Sequence, residues 1–88
     1  MPHPDTPLEF PCRFPIKAIG AAEDDFVGHV RTLVQRHVAD LPADAVRSRD
    51  STGSRFIAVT VTIDATSRAQ LDAIYRELTA SERVKFAL

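Results

Sequence analysis

The chain's single cysteine is the first side chain to consider for chemistry. Cys12 stands next to Arg13, and a cation beside a thiol favours the nucleophilic thiolate. A nucleophile also needs a positioned base, however, and the sequence offers no histidine in a paired arrangement with this cysteine. We therefore interpret Cys12 as a small, partly buried side chain rather than a catalytic group.

The histidines and acidic residues give no better active site. His29 and His37 fall on one predicted helix, about 12 Å apart along its axis at 1.5 Å per residue, too far to share a metal ion or a proton. The acidic run Glu23, Asp24 and Asp25 stands where a helix N-terminus favours negative charge. The sequence contains no glycine-rich phosphate-binding motif. We expect no enzyme activity, no metal and no other cofactor.

Basic residues near the middle of the chain raise the question of nucleic acid. Arg47, Arg49 and Arg55 could contact phosphate, but nearby acidic residues offset them and the formal net charge of the chain is −1. RNA-recognition domains stack bases on several sheet aromatics, whereas the stretch GSRFIAVTV offers Phe56 alone. The sequence therefore argues against a nucleic-acid partner.

Size and composition describe one small domain. The 88 residues are 44% hydrophobic and 26% charged, which is ordinary for a globular protein. Residues 1–7 hold three prolines and no large apolar side chain apart from the initiating methionine, so we predict a disordered tail there and a single domain over residues 8–88. With no signal sequence and no apolar run of about 20 residues, we expect a cytoplasmic protein without a membrane segment.

The stretch LEFPCRFPIKAIG predicts the first strand. Proline lacks the N–H that a central strand donates, so Pro15 fits best as the first residue of a strand that runs through Gly20. In this interpretation pairing is delayed until Ile16, and Cys12 lies in an extended lead-in. Phe14, Ile16 and Ala18 should then face the helices.

The remaining elements follow from periodicity. AAEDDFVGHVRTLVQRHVADL predicts a long helix that ends before Pro42, with Gly28 inside it either for close packing or by neutral accident. RFIAVTVTID alternates as a strand, and the turn residues DSTGS join it to the charged strand before it as a hairpin. DATSRAQLDAIYRELTA predicts a second helix that Thr66 or Ser67 can cap, with Ser67 and Gln70 forming a capping box. RVKFAL alternates as a short last strand.

The order of these elements is β-α-β-β-α-β. Right-handed crossovers and one hairpin give an α+β, ferredoxin-like fold with a four-stranded antiparallel sheet, strand order 4-1-3-2, and two helices on one face. The charged second strand and the short last strand then form the two edges, where charge discourages pairing with other chains.

Four stretches together carry a family resemblance. LEFPCRFPIKAIG, VQRH, VTVTIDAT and IYREL resemble the YbeD-like family of small bacterial proteins over about residues 8–88. The resemblance implies the ferredoxin-like fold, with a similarity to the regulatory ACT domains that bind small metabolites. In some bacteria, members are encoded beside lipoate-biosynthesis genes, which suggests a regulatory role there.

Two functions fit these observations. In the first, the domain is a regulatory module that binds a protein partner, or another copy of itself, through the sheet face away from the helices. In the second, it is an ACT-like sensor that holds a small metabolite near the loop at residues 19–23. The candidate binding residues on the sheet face are Lys17, Ile19, Phe56, Thr60 and Thr62.

Overall fold

The computed structural model describes residues 9–50 and 55–88. The predicted tail at residues 1–7 and the part of the predicted turn at residues 51–54 lie outside them. In chain order the elements are β1 (Cys12–Ala21), α1 (Phe26–Gln35), a 3₁₀ turn (Ala43–Ala45), β2 (Val46–Asp50), β3 (Phe56–Ala65), α2 (Arg68–Ala80) and β4 (Val84–Ala87).

The four strands form one antiparallel sheet in the order β2-β3-β1-β4. This is the predicted order 4-1-3-2 read from the opposite edge, so the ferredoxin-like fold is confirmed. The core lies between one face of the sheet and the two helices, because the alternate strand residues that face that side are buried together with one face of each helix. Its largest fully buried side chains are Phe26, Ile16, Ile74, Leu78, Val30, Val34, Val59 and Val61.

The predicted start of β1 at Pro15 is wrong, because the strand begins at Cys12, opposite Ala65. Lys17 exchanges backbone hydrogen bonds with Leu88 at 3.1 and 2.8 Å, so its N–H faces β4. The nitrogen of Pro15, two residues earlier, faces the same side. Among the described residues no strand pairs with Pro15 on the β4 side, so this proline removes no hydrogen bond from the sheet.

Helix α1 is shorter than the periodicity predicts: it ends at Gln35 rather than just before Pro42. Side chains bind the backbone that follows it. The Arg31 guanidinium donates to the Leu41 carbonyl at 3.1 Å, and the Gln70 amide donates to the His37 carbonyl at 2.8 Å. The apolar residues after the helix therefore reach the core from a loop, with Leu41 buried.

Helix α2 begins as the sequence predicts. Ser67 Oγ accepts the Gln70 N–H at 3.1 Å, and Gln70 Oε1 accepts the Thr66 N–H at 2.8 Å. The first bond satisfies a donor that the first turn of a helix leaves without a partner, and the second holds the residue before the cap. In the described part of the chain, neither α1 nor α2 has the length and apolar character needed to cross a membrane.

Candidate binding face of the sheet

The open face, meaning the face of the sheet away from the helices, can be mapped from the strand register. Side chains alternate between the two faces, and residues opposite each other on neighbouring strands share a face. The pairings of all four strands define two rows that cross the full width of the sheet. Arg47, Thr60, Lys17 and Leu88 form the first row, and Arg49, Ala58, Ile19 and Phe86 form the second.

The structure places the five predicted site residues on this face, in four successive rows. Lys17 lies opposite Thr60, and Ile19 occupies the next row. Thr62, opposite a proline, extends the set at one end, while Phe56 extends it at the other. Lys17 and Phe56 are exposed and the other three are half-buried. The face is therefore accessible where a partner would have to contact it.

Strand β4 and the residue after it add two apolar side chains, Phe86 and Leu88, that the sequence pattern assigns differently. Simple alternation puts Val84, Phe86 and Leu88 on one face, but the register shifts between Ile19 and Gly20, so that Val84 lies opposite Gly20 and Phe86 opposite Ile19. This irregularity turns Phe86 and Leu88 outward, with 64% and 52% of their surface exposed, while Val84 stays buried. Nothing in the alternation of RVKFAL marks the shift.

Cations dominate the charge of the open face. Strands β1, β2 and β3 present four cations and one carboxylate on this face, a net charge of +3, and because the whole chain carries −1 the rest of the chain carries −4. Asp50, one of the acidic residues near these arginines, lies opposite Ile57 and thus on the helix side of β2. The charged residues of the open face are Arg13, Lys17, Arg47, Arg49 and Asp64.

The acidic run before α1 has a partner that the sequence interpretation missed. Arg83, just before β4, donates to the two carboxylate oxygens of Asp25 at 2.6 and 3.2 Å and to Glu23 at 3.4 Å. Its guanidinium also lies 5.9 Å from the centre of the Phe26 ring. The hydrogen bond from Arg83 lowers the pKa of Asp25, and the reciprocal bond raises the pKa of Arg83. The pairing of β1 with β4 brings these two loops together.

The same loop was the predicted place for a metabolite. Two of its backbone donors are already used, since Ala22 N–H donates to the Arg55 carbonyl at 3.0 Å and Glu23 N–H to the Ala21 carbonyl at 2.9 Å. A hollow of about 260 Å³ lies beside it. The ionic groups of the loop thus bind one another, which leaves fewer of them to bind a ligand. The hollow is lined by Ala21, Glu23, Phe26, Glu82, Arg83 and Lys85.

The reactive side chains considered at the outset lie apart. Cys12 is half-buried and packs at the edge of the core. His29 Nε2 lies 2.9 Å from the Ser81 hydroxyl, whereas His37 Nε2 lies 3.6 Å from a carboxylate oxygen of Glu77. Within residues 9–50 and 55–88 no three His, Cys, Asp or Glu side chains are grouped to hold a metal ion.

Comparison with known proteins places the chain in a family. The model of a family described as a protein of unknown function, DUF493, matches residues 5–88. The chain belongs to the DUF493 family. A UPF0250 protein of Chromobacterium violaceum is 50% identical to this DUF493 chain over 81 residues, 92% of the chain and 91% of the relative. These matches confirm the resemblance to the YbeD-like family.

Two further comparisons agree. A UPF0250 protein of Paraburkholderia phytofirmans is 44% identical over 81 residues, again 92% of this DUF493 chain and 91% of the relative. The solution structure of protein HP0495 from H. pylori has a TM-score of 0.71 and covers 100% of this chain and 94% of its own, at 16% identity. At 16% identity, this similarity supports the fold alone.

Proposed function

We propose that this DUF493 domain is a non-enzymatic regulatory module of the cytoplasm that docks on a partner protein through its open face. One observation carries the proposal: Phe86 and Leu88 are largely exposed beside Ile19 on the sheet face opposite α1 and α2. A sheet face left to water normally carries polar side chains. Apolar groups clustered on such a face are typical of an interaction site.

Charge favours a partner of different sequence over a second copy. A symmetric dimer through the open face would bring two surfaces of net charge +3 together, and like charges across an interface oppose association. A partner with acidic groups would instead gain from Lys17, Arg47 and Arg49. We therefore propose binding to another protein.

The test is an amide NMR spectrum of the labelled domain mixed with unlabelled cell extract. The extract is divided by size, and its macromolecular fraction is used before and after digestion with protease or nuclease. We expect broadening centred on Lys17, Ile19 and Thr60 that only protease abolishes. Shifts confined to Gly20 and Glu23 with the small-molecule fraction would instead support the metabolite sensor and contradict docking.

A pair of variants makes the test specific to the face. Phe86→Ser removes an exposed ring from the open face, and we expect it to abolish most of the broadening. Ala69→Ser changes an exposed apolar residue on α2 and serves as the matched control. Equal broadening in both variants would contradict docking through the open face.

A further inference from the structure

The two sides of the open face differ in chemistry. In both full rows the β2 side presents an arginine and the β4 side presents an apolar side chain. Between them, β3 contributes only small side chains and β1 contributes one cation and one isoleucine. The arginines are Arg47 and Arg49, the apolar pair is Phe86 and Leu88, and the small residues are Thr60 and Ala58.

The dimensions of this surface restrict what can lie on it. Neighbouring strands are about 4.8 Å apart, so β2 and β4, three spacings apart, are separated by about 14 Å. The arginines of β2 and the apolar side chains of β4 thus stand about 14 Å apart, with the side chains of β3 and β1 between them. An α-helix with its side chains is about 10 to 12 Å across and can contact both of these edges. A single extended strand is too narrow to contact both sides.

We propose that the partner segment is an amphipathic α-helix with one acidic flank and one apolar flank, lying along the strands of the open face. The inference rests on the proposed docking function and specifies the chemistry of the partner. Carboxylates on the acidic flank would meet Arg47 and Arg49, whose planar guanidinium groups bind carboxylates in a bidentate manner. The apolar flank would cover Phe86 and Ile19. The residues between the two flanks would rest on the small side chains of β3.

The same surface fits single-stranded RNA less well. Base binding on a sheet relies on several aromatic rings that stack successive bases. Among the described residues the open face carries two aromatic rings, Phe86 at the β4 edge and Phe56 on β3 in the row beyond Ala58, and the neighbours of Phe86, Ile19 and Leu88, are aliphatic. Two of the three cations in the two full rows, Arg47 and Arg49, lie at the opposite edge from Phe86, and Lys17 alone lies near that ring. Binding of RNA is therefore an alternative result that the test below can detect.

The test uses a synthetic 15-residue helical peptide with leucines on one flank and glutamates on the other. One control peptide replaces every glutamate with lysine, and another scrambles the sequence so that the flanks disappear. We expect the first peptide alone to shift the amides of Lys17, Ala58 and Thr60. The double variant Arg47→Gln/Arg49→Gln should bind about tenfold more weakly, because two exposed ion pairs are lost.

A second double variant controls for total charge. Arg68→Gln/Arg76→Gln removes two exposed arginines from α2, and we expect unchanged affinity for the peptide. Equal loss in both double variants would overturn the proposal. Amide spectra of the free variants, unchanged away from the substituted sites, show that each one folds.

Any of three results would overturn the proposal of a helical, acidic partner. The glutamate peptide fails to bind, the lysine peptide binds equally well, or a 12-nucleotide oligouridine or phosphatidylglycerol vesicles shift the face where the peptide does not. If the peptide fails while protease-sensitive broadening by extract persists, docking stands and the helical, acidic partner is wrong. If the extract also leaves the face unchanged, the proposed function itself fails.

Discussion

Gly20 and Gly28 occupy positions where an added methyl group would meet opposite surroundings. A Cβ on Gly20 would lie 2.5 Å from ring carbons of Phe26 and would also clash with the Arg83 carbonyl oxygen. Nothing lies within 4 Å of a Cβ on Gly28, so this glycine is not needed for close packing within the described structure. Gly20 thus lets β1 pass beneath the ring that begins α1.

Alanine at these two positions should change stability in opposite directions. Gly20→Ala is expected to lower the free energy of unfolding by about 2 kcal/mol, because the ring and a backbone carbonyl must both move. Gly28→Ala is expected to raise it by about 0.5 to 1 kcal/mol, because alanine favours a helix interior. Urea unfolding of both variants measures the difference. Equal stabilities would contradict the steric role of Gly20.

At the scale of the element, the start of α2 depends on one hydroxyl. Ser67→Ala removes the acceptor of the Gln70 N–H and is expected to lower the free energy of unfolding by about 1 kcal/mol. Ser67→Asp keeps an acceptor at the same position and should lose much less. Thermal or urea unfolding distinguishes them, and similar losses in both variants would show that the hydroxyl does not act as a cap.

Local patterns predict some elements fully and others only in part. Strand β3 alternates without interruption, so the sequence predicts its inward residues Val59 and Val61. Beyond the early end of α1, the His37 carbonyl accepts a hydrogen bond from Gln70, 33 residues away, and no local pattern contains that contact. The place of Pro15 inside β1 also depends on a distant element, because β4 stops short of this proline and leaves its nitrogen without a strand to bind.

The candidate site follows the same division. Lys17 and Thr60 are predictable because each belongs to a regular strand, and strand order makes them neighbours. Phe86 is missed because a register shift reverses its side. The contact of Arg83 with Asp25 is missed because it joins two loops, and only the pairing of β1 with β4 brings them together.

At the scale of the whole molecule, the fold separates charges that the sequence mixes. The chain has 11 basic and 12 acidic residues with a formal net charge of −1. Alternation along β1, β2 and β3 places four cations on the open face, while most carboxylates lie elsewhere. Near neutral pH the domain is therefore slightly acidic in total and basic on one side, and surface potential rather than net charge governs a first encounter.

This separation predicts retention on a cation exchanger at pH 7 despite the negative net charge. At about 10 mM salt, charges act over roughly 30 Å, so the resin can attract the open face while the acidic side turns away. Arg47→Gln/Arg49→Gln should then elute in the flow-through. Arg68→Gln/Arg76→Gln, with the same formal charge, should stay bound, because the α2 arginines lie outside the open face. Identical elution of the two double variants would mean that net charge alone controls binding.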